Sequence, residues 1–496
     1  MYRKRENQLL LPHEFFLPFT GKLNEENRWV KLAQLIPWNL VEEQYAKLFK
    51  PNSKGGQAAV SVRVALGSLI IQERLGTSDR DTVENITENP YLQYFIGLPG
   101  FQQSPPFDAS LMTHFRKRLG ADVLGQVNEW IIMAAKADQE SDDDDDSQSP
   151  GDDDPDNSTQ TEQPEVEADV PRQGKLLLDA TCAPADIAYP TDLSLLNEAR
   201  EKLEQIIDVL HAAHAGRERK PRTYRQKARR AYLVIAKQRR ASRQKIRRAI
   251  GQQLRYVMRD LKAIDRLATH TPLTELSRQQ YKNLLVIREL AQQQKMMHDT
   301  RSHRVEDRIV SISQPHVRPI VRGKAKANVE FGAKVAVSMV DGYARIDRAE
   351  WDTFNEGQLL QESVEAYRER YGCYPEAVLA DKLYRTRANL QYCRQRGIRL
   401  SGPRLGRPSK AEESMHKRVE RQDSAERNAI EGKFGEGKRR YGLDRIRARL
   451  AGTSLTVISL QMLVMNLERW LRVLFVFCLQ LLESLFSSSL FVVPSV

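Results

Sequence analysis

Three acidic residues, Asp179, Asp381 and Glu431, have the types and settings that metal-assisted phosphate chemistry requires. Asp179 closes the apolar run Leu176-Leu177-Leu178, and Asp381 closes Ala377-Val378-Leu379-Ala380. Short apolar runs of this kind predict buried strands, which would put each aspartate at a strand tip. Glu431 falls in a helical stretch, with Arg427 four residues before it and Lys438 seven after. At 3.6 residues per turn those offsets share one face. Two strand-tip carboxylates and one helical carboxylate, bordered by cations, suit hard divalent ions acting on a phosphodiester. Two Mg²⁺ ions, or Mn²⁺ in their place, would activate the attacking oxygen and stabilise the leaving one, using oxygen donors and no histidine or cysteine.

Each residue also has a plainer reading. Asp179 could cap the turn that follows it, as could Asp381, and a helical Glu paired with Arg four residues away is commonplace. Asp341 competes for the role of second aspartate, although Gly342 beside it suggests a turn. Trp351 could stack on an unpaired base, but a lone tryptophan more often packs in a core. His298 and His303 stand five apart, a poor offset for a shared helical metal site.

Charge points to a polyanionic partner. The 496-residue chain carries a net +12. Residues 137–171 contain 15 Asp and Glu and no Lys or Arg, so setting those 15 negative charges aside leaves +27 on the rest. A body that basic attracts nucleic acid. The four cysteines are scattered without a Cys-x-x-Cys pair, which argues against structural zinc and disulfides and fits a reducing cytosol. The N-terminus does not read as a secretory signal. The apolar C-terminus is interrupted by Glu468, Arg469, Arg472 and Glu483, so it is expected to be a buried helix to about Trp470 followed by a hydrophobic extension (471–496), not a membrane span.

Four units would position these residues. Residues 1–136 read as a small all-α domain. Its expected helices include one around Val62, Leu66, Leu69 and Ile70, closed by Gly76, and one over 79–88, capped by Ser78 and stopped at Asn89-Pro90. A third, capped by Asp108, would carry the basic stretch around Arg116, giving a helix-turn-helix-like DNA-contacting module or simply a bundle with a basic face. Residues 137–174 are an acidic linker too poor in large apolar residues to offset its ordering entropy. Residues 175–470 alternate strands and helices, which predicts a mixed α/β domain on one sheet. The expected strands are 175–181, 309–312, 329–340, 377–381 and 398–400, with a helix over 389–396 and a mostly helical insertion, 193–300, broken near 216–221 and at Pro272. Residues 217–248 hold 15 Lys and Arg against one acid, Glu218. Arg229, Arg230, Arg239 and Arg240 are therefore candidates for DNA phosphates. Arg322, Lys324 and Lys334, in and beside the predicted hairpin, are secondary candidates.

The segment Arg427-Asn-Ala-Ile-Glu431-Gly-Lys-Phe-Gly-Glu-Gly-Lys438-Arg-Arg-Tyr441-Gly442-Leu443 resembles the glutamate signature of bacterial insertion-sequence DDE transposases. Its Arg-x3-Glu-x6-Lys spacing fits the tyrosine-arginine-glutamate-lysine signature of the family-four and family-five elements. Ser424 stands where that signature has tyrosine. Leu-Leu-Leu-Asp179-Ala-Thr and Leu-Ala-Asp381-Lys-Leu-Tyr match the family's first and second aspartates. Ser78-Asp-Arg-Asp and Phe107-Asp-Ala-Ser-Leu-Met-Thr-His-Phe-Arg116 resemble its N-terminal domain. The resemblance spans nearly everything but the acidic linker and the last 20 or so residues. It implies a ribonuclease H-like catalytic domain carrying a long helical insertion, and Mg²⁺-dependent cleavage of the element's inverted-repeat ends. It also implies 3′-hydroxyl transfer into double-stranded target DNA, with Arg427 and Lys438 on phosphates, at least a homodimer on DNA, and a place on the bacterial nucleoid. A nuclease or resolvase on the same fold, and a catalytically silent DNA-binding derivative, are the alternatives.

Overall fold

The structure, a computed structural model, describes residues 2, 4, 11–18, 20–49, 59–143, 171–213, 219–324, 327–402 and 410–489. Among them, seven helices precede the first strand: α1 (Arg28–Leu35), α2 (Trp38–Lys47), α3 (Val62–Leu75), α4 (Asp79–Glu88), α5 (Pro90–Phe95), α6 (Leu111–Leu119) and α7 (Ala121–Asp143). Local chemistry sets their ends. Ser61 caps α3, and Gly76 closes it at φ +67°, a conformation that glycine adopts without strain. Ser78 and Asp81 form a reciprocal capping box at the start of α4. Asp108 does not cap α6; it accepts from the Ser110 amide (2.8 Å) in the turn ahead of it. Helix α7 runs seven residues beyond the expected boundary at residue 136, into the expected linker. Residues 144–170 of that linker lie outside the described residues, and at its end Arg172 already bridges to Tyr374.

The central sheet is built from β1 (Lys175–Pro184), β2 (Arg318–Lys324), β3 (Ala327–Val340), β4 (Tyr343–Glu350), β5 (Ala377–Ala380) and β6 (Arg399–Leu400). Its order is β2-β3-β1-β5-β6, with β4 also on the β3 edge. β1 is antiparallel to β3 and parallel to β5, and β5 is parallel to β6. A three-stranded meander followed by two parallel strands on the far side of β1 is the mixed sheet of a ribonuclease H-like domain. The approach of β1 to β3 is so close at Gly332 that a Cβ there would lie 2.1 Å from the Ala183 carbonyl oxygen.

One strand expectation fails, and β2 lies over Arg318, Arg322 and Lys324, where a turn was expected. Residues 309–312 form no strand; Ile309 and Ile312 are buried in the core of the insertion. β4 was not anticipated, because alternating charges in Tyr343–Glu350 hide its inward residues Tyr343, Ala344 and Ile346. Asp341 lies in the β3–β4 turn at φ +51°, as its glycine neighbour suggested. Trp351 is buried against His316, ring centroids 4.4 Å apart, so it is a core residue and not a stacking platform.

After β1 comes the helical insertion: α8 (Asp192–Ala212), α9 (Arg225–Ala236), α10 (Arg243–Leu267) and α11 (Arg278–Thr300). It has its own core, in which Leu203, Ile207, Val257, Ile264, Ile287 and Leu290 are buried. Helices α12 (Leu360–Tyr371) and α13 (Arg387–Gln395) cover one face of the sheet, and α14 (Lys410–Arg440) and α15 (Ala451–Ser489) the other. α15 also packs on α1, α3, α6, α7 and β4, so the N-terminal helices and the sheet share one hydrophobic core. Trp470 is buried on α15, whereas Phe475 and Val476 are exposed. Among the described residues no helix is long and apolar enough to cross a membrane.

Candidate active site

The register of two parallel strands creates the site. Leu178 of β1 pairs with Ala380 of β5, where β5 ends. One step further along each chain stand Asp179 and Asp381, on neighbouring backbones about 5 Å apart. β1 itself runs on to Pro184, so Asp179 lies mid-strand and not at a tip. The reason is that β3 continues to pair with β1 after β5 has left, with Asp179 opposite Val337. By the two-residue alternation of a strand, Asp179 shares its face with Leu177 and Ala183, which lie in the same core as Ile430 and Phe434 of α14.

Asp179 is mostly buried, and its carboxylate accepts from the Ala180 amide (2.8 Å). Burial pushes its pKa above the ordinary carboxylate value; the Ala180 amide and the Arg427 guanidinium oppose this, while the charges of Glu356 and Glu431 add to it. Asp381 is exposed and caps the turn Lys382–Tyr384, accepting from the Lys382 amide (2.6 Å). Glu431 is 53 % exposed and accepts from Arg427 Nη2 (2.8 Å). Arg427 Nη1 lies 3.5 Å from Asp179 Oδ2, and Arg427 borders the cleft that holds Asp381 and Ser424. One guanidinium thus joins Asp179 to Glu431 and borders the cleft of Asp381.

Three contacts fix α14 over the sheet. Lys175 donates to both carboxylate oxygens of Glu426 at 2.8 Å, Arg399 pairs with the buried Asp423, and Ile430 and Phe434 enter the core. Charge alternation along this helix hid the anchoring pairs from sequence reasoning. Sequence reasoning also missed Glu356, whose charge adds to the upward shift at Asp179 and which stands in a turn with no motif around it.

The donor set is all carboxylate oxygen, the kind that Mg²⁺ or Mn²⁺ takes, and the two aspartates adjoin. Among the described residues no three His, Cys, Asp or Glu are grouped closely enough to enclose an ion as they stand. Arg427 supplies the positive charge between Asp179 and Glu431.

The candidate DNA contacts divide. Arg229, Arg230, Arg239 and Arg240 are exposed in and after α9 and, among the described residues, have no acidic partner. Lys438 is half-buried near the end of α14. Arg116 is not presented to solvent: it forks onto Asp79 (2.6 and 2.9 Å) and reaches Gln72, joining α6 to α3 and α4. Lys334 likewise turns inward, to Glu356 (3.0 Å) and the Phe354 carbonyl (2.8 Å), because β3 is an inner strand with little open surface. Arg322 and Lys324 end β2, and their side chains lie outside the described residues.

Residues 378–468 match the family model described as a transposase DDE domain, and residues 18–118 match a transposase domain (DUF772). A Rhizobium meliloti protein, described as uncharacterised protein ORF8 in the nfe locus, is 30 % identical over 194 residues, 39 % of this chain and 77 % of that protein. The chain belongs to the DDE transposases. The first match contains Asp381, Arg427, Glu431 and Lys438, and the second contains Arg116; Asp179 and the basic insertion lie outside both. No solved structure matches the transposase.

Proposed function

We propose that this transposase cleaves the ends of an insertion sequence and joins the freed 3′-hydroxyls to target DNA, with Asp179, Asp381 and Glu431 as its catalytic carboxylates. The observation that carries this reading is the Leu178–Ala380 register, which sets Asp179 beside Asp381 under a helix that brings Glu431 to the same arginine. Two divalent ions held by these carboxylates would lower the barrier to attack at phosphorus and take up charge on the leaving oxygen. In the first step a water oxygen bonds to phosphorus, the bond to the 3′ oxygen breaks, and that oxygen leaves as a hydroxyl. In the second the 3′-hydroxyl oxygen attacks a target phosphodiester, losing its proton as the target's own 3′ oxygen departs. Arg427 forks onto phosphate oxygens beside the cut and Lys438 adds a point charge. The exposed arginines around α9 hold flanking duplex. Work on paired ends requires at least a homodimer, acting in the cytoplasm on the nucleoid.

The test is a strand-transfer reaction with a pre-cut 3′-hydroxyl end, Mg²⁺ and plasmid target. Wild type should give joined product. Asp179→Asn, Asp381→Asn and Glu431→Gln should each lower joining by at least about 10³-fold while still shifting end DNA in a gel. Cleavage without joining would make the protein a nuclease, and unchanged transposition by Asp179→Asn in cells would make it a silent derivative.

A further inference from the structure

Helix α9 opens without a cap. Tyr224, the residue before it, stands at φ +55° and its side chain accepts nothing from the helix. The amides of Arg225, Gln226 and Lys227 therefore bond to nothing among the described residues. These residues, with Thr223, Tyr224 and Arg230, line an open cavity of about 760 Å³. Thr223 adds an observation independent of the helix. It is 8 % exposed, and among the described residues its hydroxyl has no hydrogen-bond partner. A hydroxyl so poorly hydrated is unfavourable until something pairs with it. The charges around the cavity favour an anion. Lys227 and Arg230 are exposed and, among the described residues, meet no acid. The Arg225 guanidinium turns the other way, onto Asp208 and the Glu204 carbonyl (2.7 Å), and Lys220 also pairs with Asp208, so that acid is already neutralised. Contacts from α10 hold the opening turn in place: Gln253 donates to the Ala228 carbonyl (2.9 Å), and the Arg259 guanidinium lies 4.8 Å from the Tyr224 ring centroid. Free amides, a free hydroxyl and two unpaired cations around one hollow are the donor set that a phosphate takes.

We propose that this hollow seats one backbone phosphate of duplex DNA, held by the first amides of α9, the Thr223 hydroxyl, Lys227 and Arg230. The seat depends on the α9 surface being the one that holds flanking DNA, as proposed above, and gives that surface a fixed point. Long arginine side chains supply charge but little position, whereas backbone amides hold a phosphate at one place and so set the register of the duplex. A DNA phosphate is favoured over a free anion because Arg229, Arg239 and Arg240 continue the positive surface past the hollow, along and just beyond the same helix.

The experiment is the affinity of the full-length protein for a labelled duplex carrying the element's end, read by fluorescence anisotropy, with melting temperature alongside. Gln226→Glu puts a carboxylate in the first turn of α9, where the helix dipole favours it, so the fold should be at least as stable as wild type. Its affinity for DNA should nevertheless fall by about tenfold or more. Gln238→Glu makes the same change of charge just past the other end of α9, between Lys237 and Arg239, and should lower affinity by less than about threefold. Thr223→Val keeps the shape without the hydroxyl and should weaken binding by about threefold or more at an undiminished melting temperature. Equal weakening by the two glutamate variants would reduce the effect to net charge and overturn the proposal, as would wild-type affinity in Gln226→Glu and Thr223→Val. If inorganic phosphate raises the melting temperature of wild type but not of Gln226→Glu, while both bind DNA equally, the hollow takes a free anion and the proposal is again overturned. Arg239→Ala/Arg240→Ala, away from the hollow, tests the surface itself. If that variant binds as wild type, the DNA reading of α9 falls; if it weakens binding and the hollow variants do not, only the phosphate seat is wrong.

Discussion

Arg427 does at one position what several cations would otherwise share. It contacts Asp179 and Glu431 together, through different nitrogens of one planar group. A lysine ammonium on a single stem cannot reach two acceptors in that fixed fork. Arg427→Lys should therefore lower the rate of end cleavage by about tenfold to a hundredfold, and Arg427→Ala by more, with DNA affinity changing much less. A quench-flow or gel time course on labelled end DNA measures this; a wild-type rate for Arg427→Lys would show that the fork is unimportant. The family's tyrosine position is Ser424 here, exposed on the cleft with Arg427. Its short hydroxyl leaves that part of the cleft open.

The insertion is the element with the most separable behaviour, because its helices bury their own core. Inside that core lies Asp260, 1 % exposed, with neither carboxylate oxygen hydrogen-bonded among the described residues. Burial and the nearby Glu204 raise its pKa to about 7, while Arg200, Arg259 and Arg225 partly counter them. The folded value lies above the unfolded one, so the native state holds the proton more tightly. Stability is then greatest below the ordinary aspartate range and falls as pH rises from about 4 through about 7. Asp260→Asn keeps the shape and removes the charge, so it should flatten this slope and stabilise the insertion at pH 8, on the order of 1–3 kcal/mol. Thermal melts across pH 5–8 are the measurement, and a variant less stable than wild type at pH 8 would refute the assignment. On the insertion's surface, the fourfold change of Arg229, Arg230, Arg239 and Arg240 to Ala should weaken duplex binding. It should also reduce the slope of log affinity against log salt by about 3–4, close to one per lost phosphate contact. An unchanged slope would place the DNA elsewhere.

Across the whole molecule, α15 is the member that makes one body of the N-terminal helices and the sheet. Asn466, fully buried on α15, donates to Asn128 of α7 (2.8 Å) and to the Ala344 carbonyl of β4 (2.7 Å), and accepts from the Ala344 amide (3.0 Å). Three elements distant in sequence meet in that amide. Arg345 of β4 reinforces the seam by forking onto Glu129 of α7 (2.8 and 3.0 Å), and Arg74 of α3 pairs with Glu468 of α15. Asn466→Ala would strand the Ala344 amide and loosen both partners, at a cost of roughly 2–4 kcal/mol. The melt should stay a single transition, because the shared core leaves no boundary at which the halves could part. Calorimetry that resolved two transitions, with only one moved by the substitution, would mean that the N-terminal helices fold independently.

What the sequence determined by itself was local and periodic. Apolar runs placed β1 and β5; Ser78, Asn89-Pro90 and Gly76 set helix ends; Arg427, Glu431 and Lys438 lay on one helix by spacing alone. Those features depend on neighbours within one or two turns of chain, so they are legible without a fold. The tertiary structure decided what depends on distant partners. The charged strand β4 exists because β3 offers it an edge, and Asp179 became mid-strand because β3 outlasts β5 beside it. Arg116 and Lys334, read as free cations, were claimed by acids 37 and 22 residues away, and the turn of Glu356 was locked by Asn389 to the one carrying Asp381. A charge in a sequence carries no mark of whether solvent or a buried carboxylate will meet it; only the packing that removes water from one side settles that.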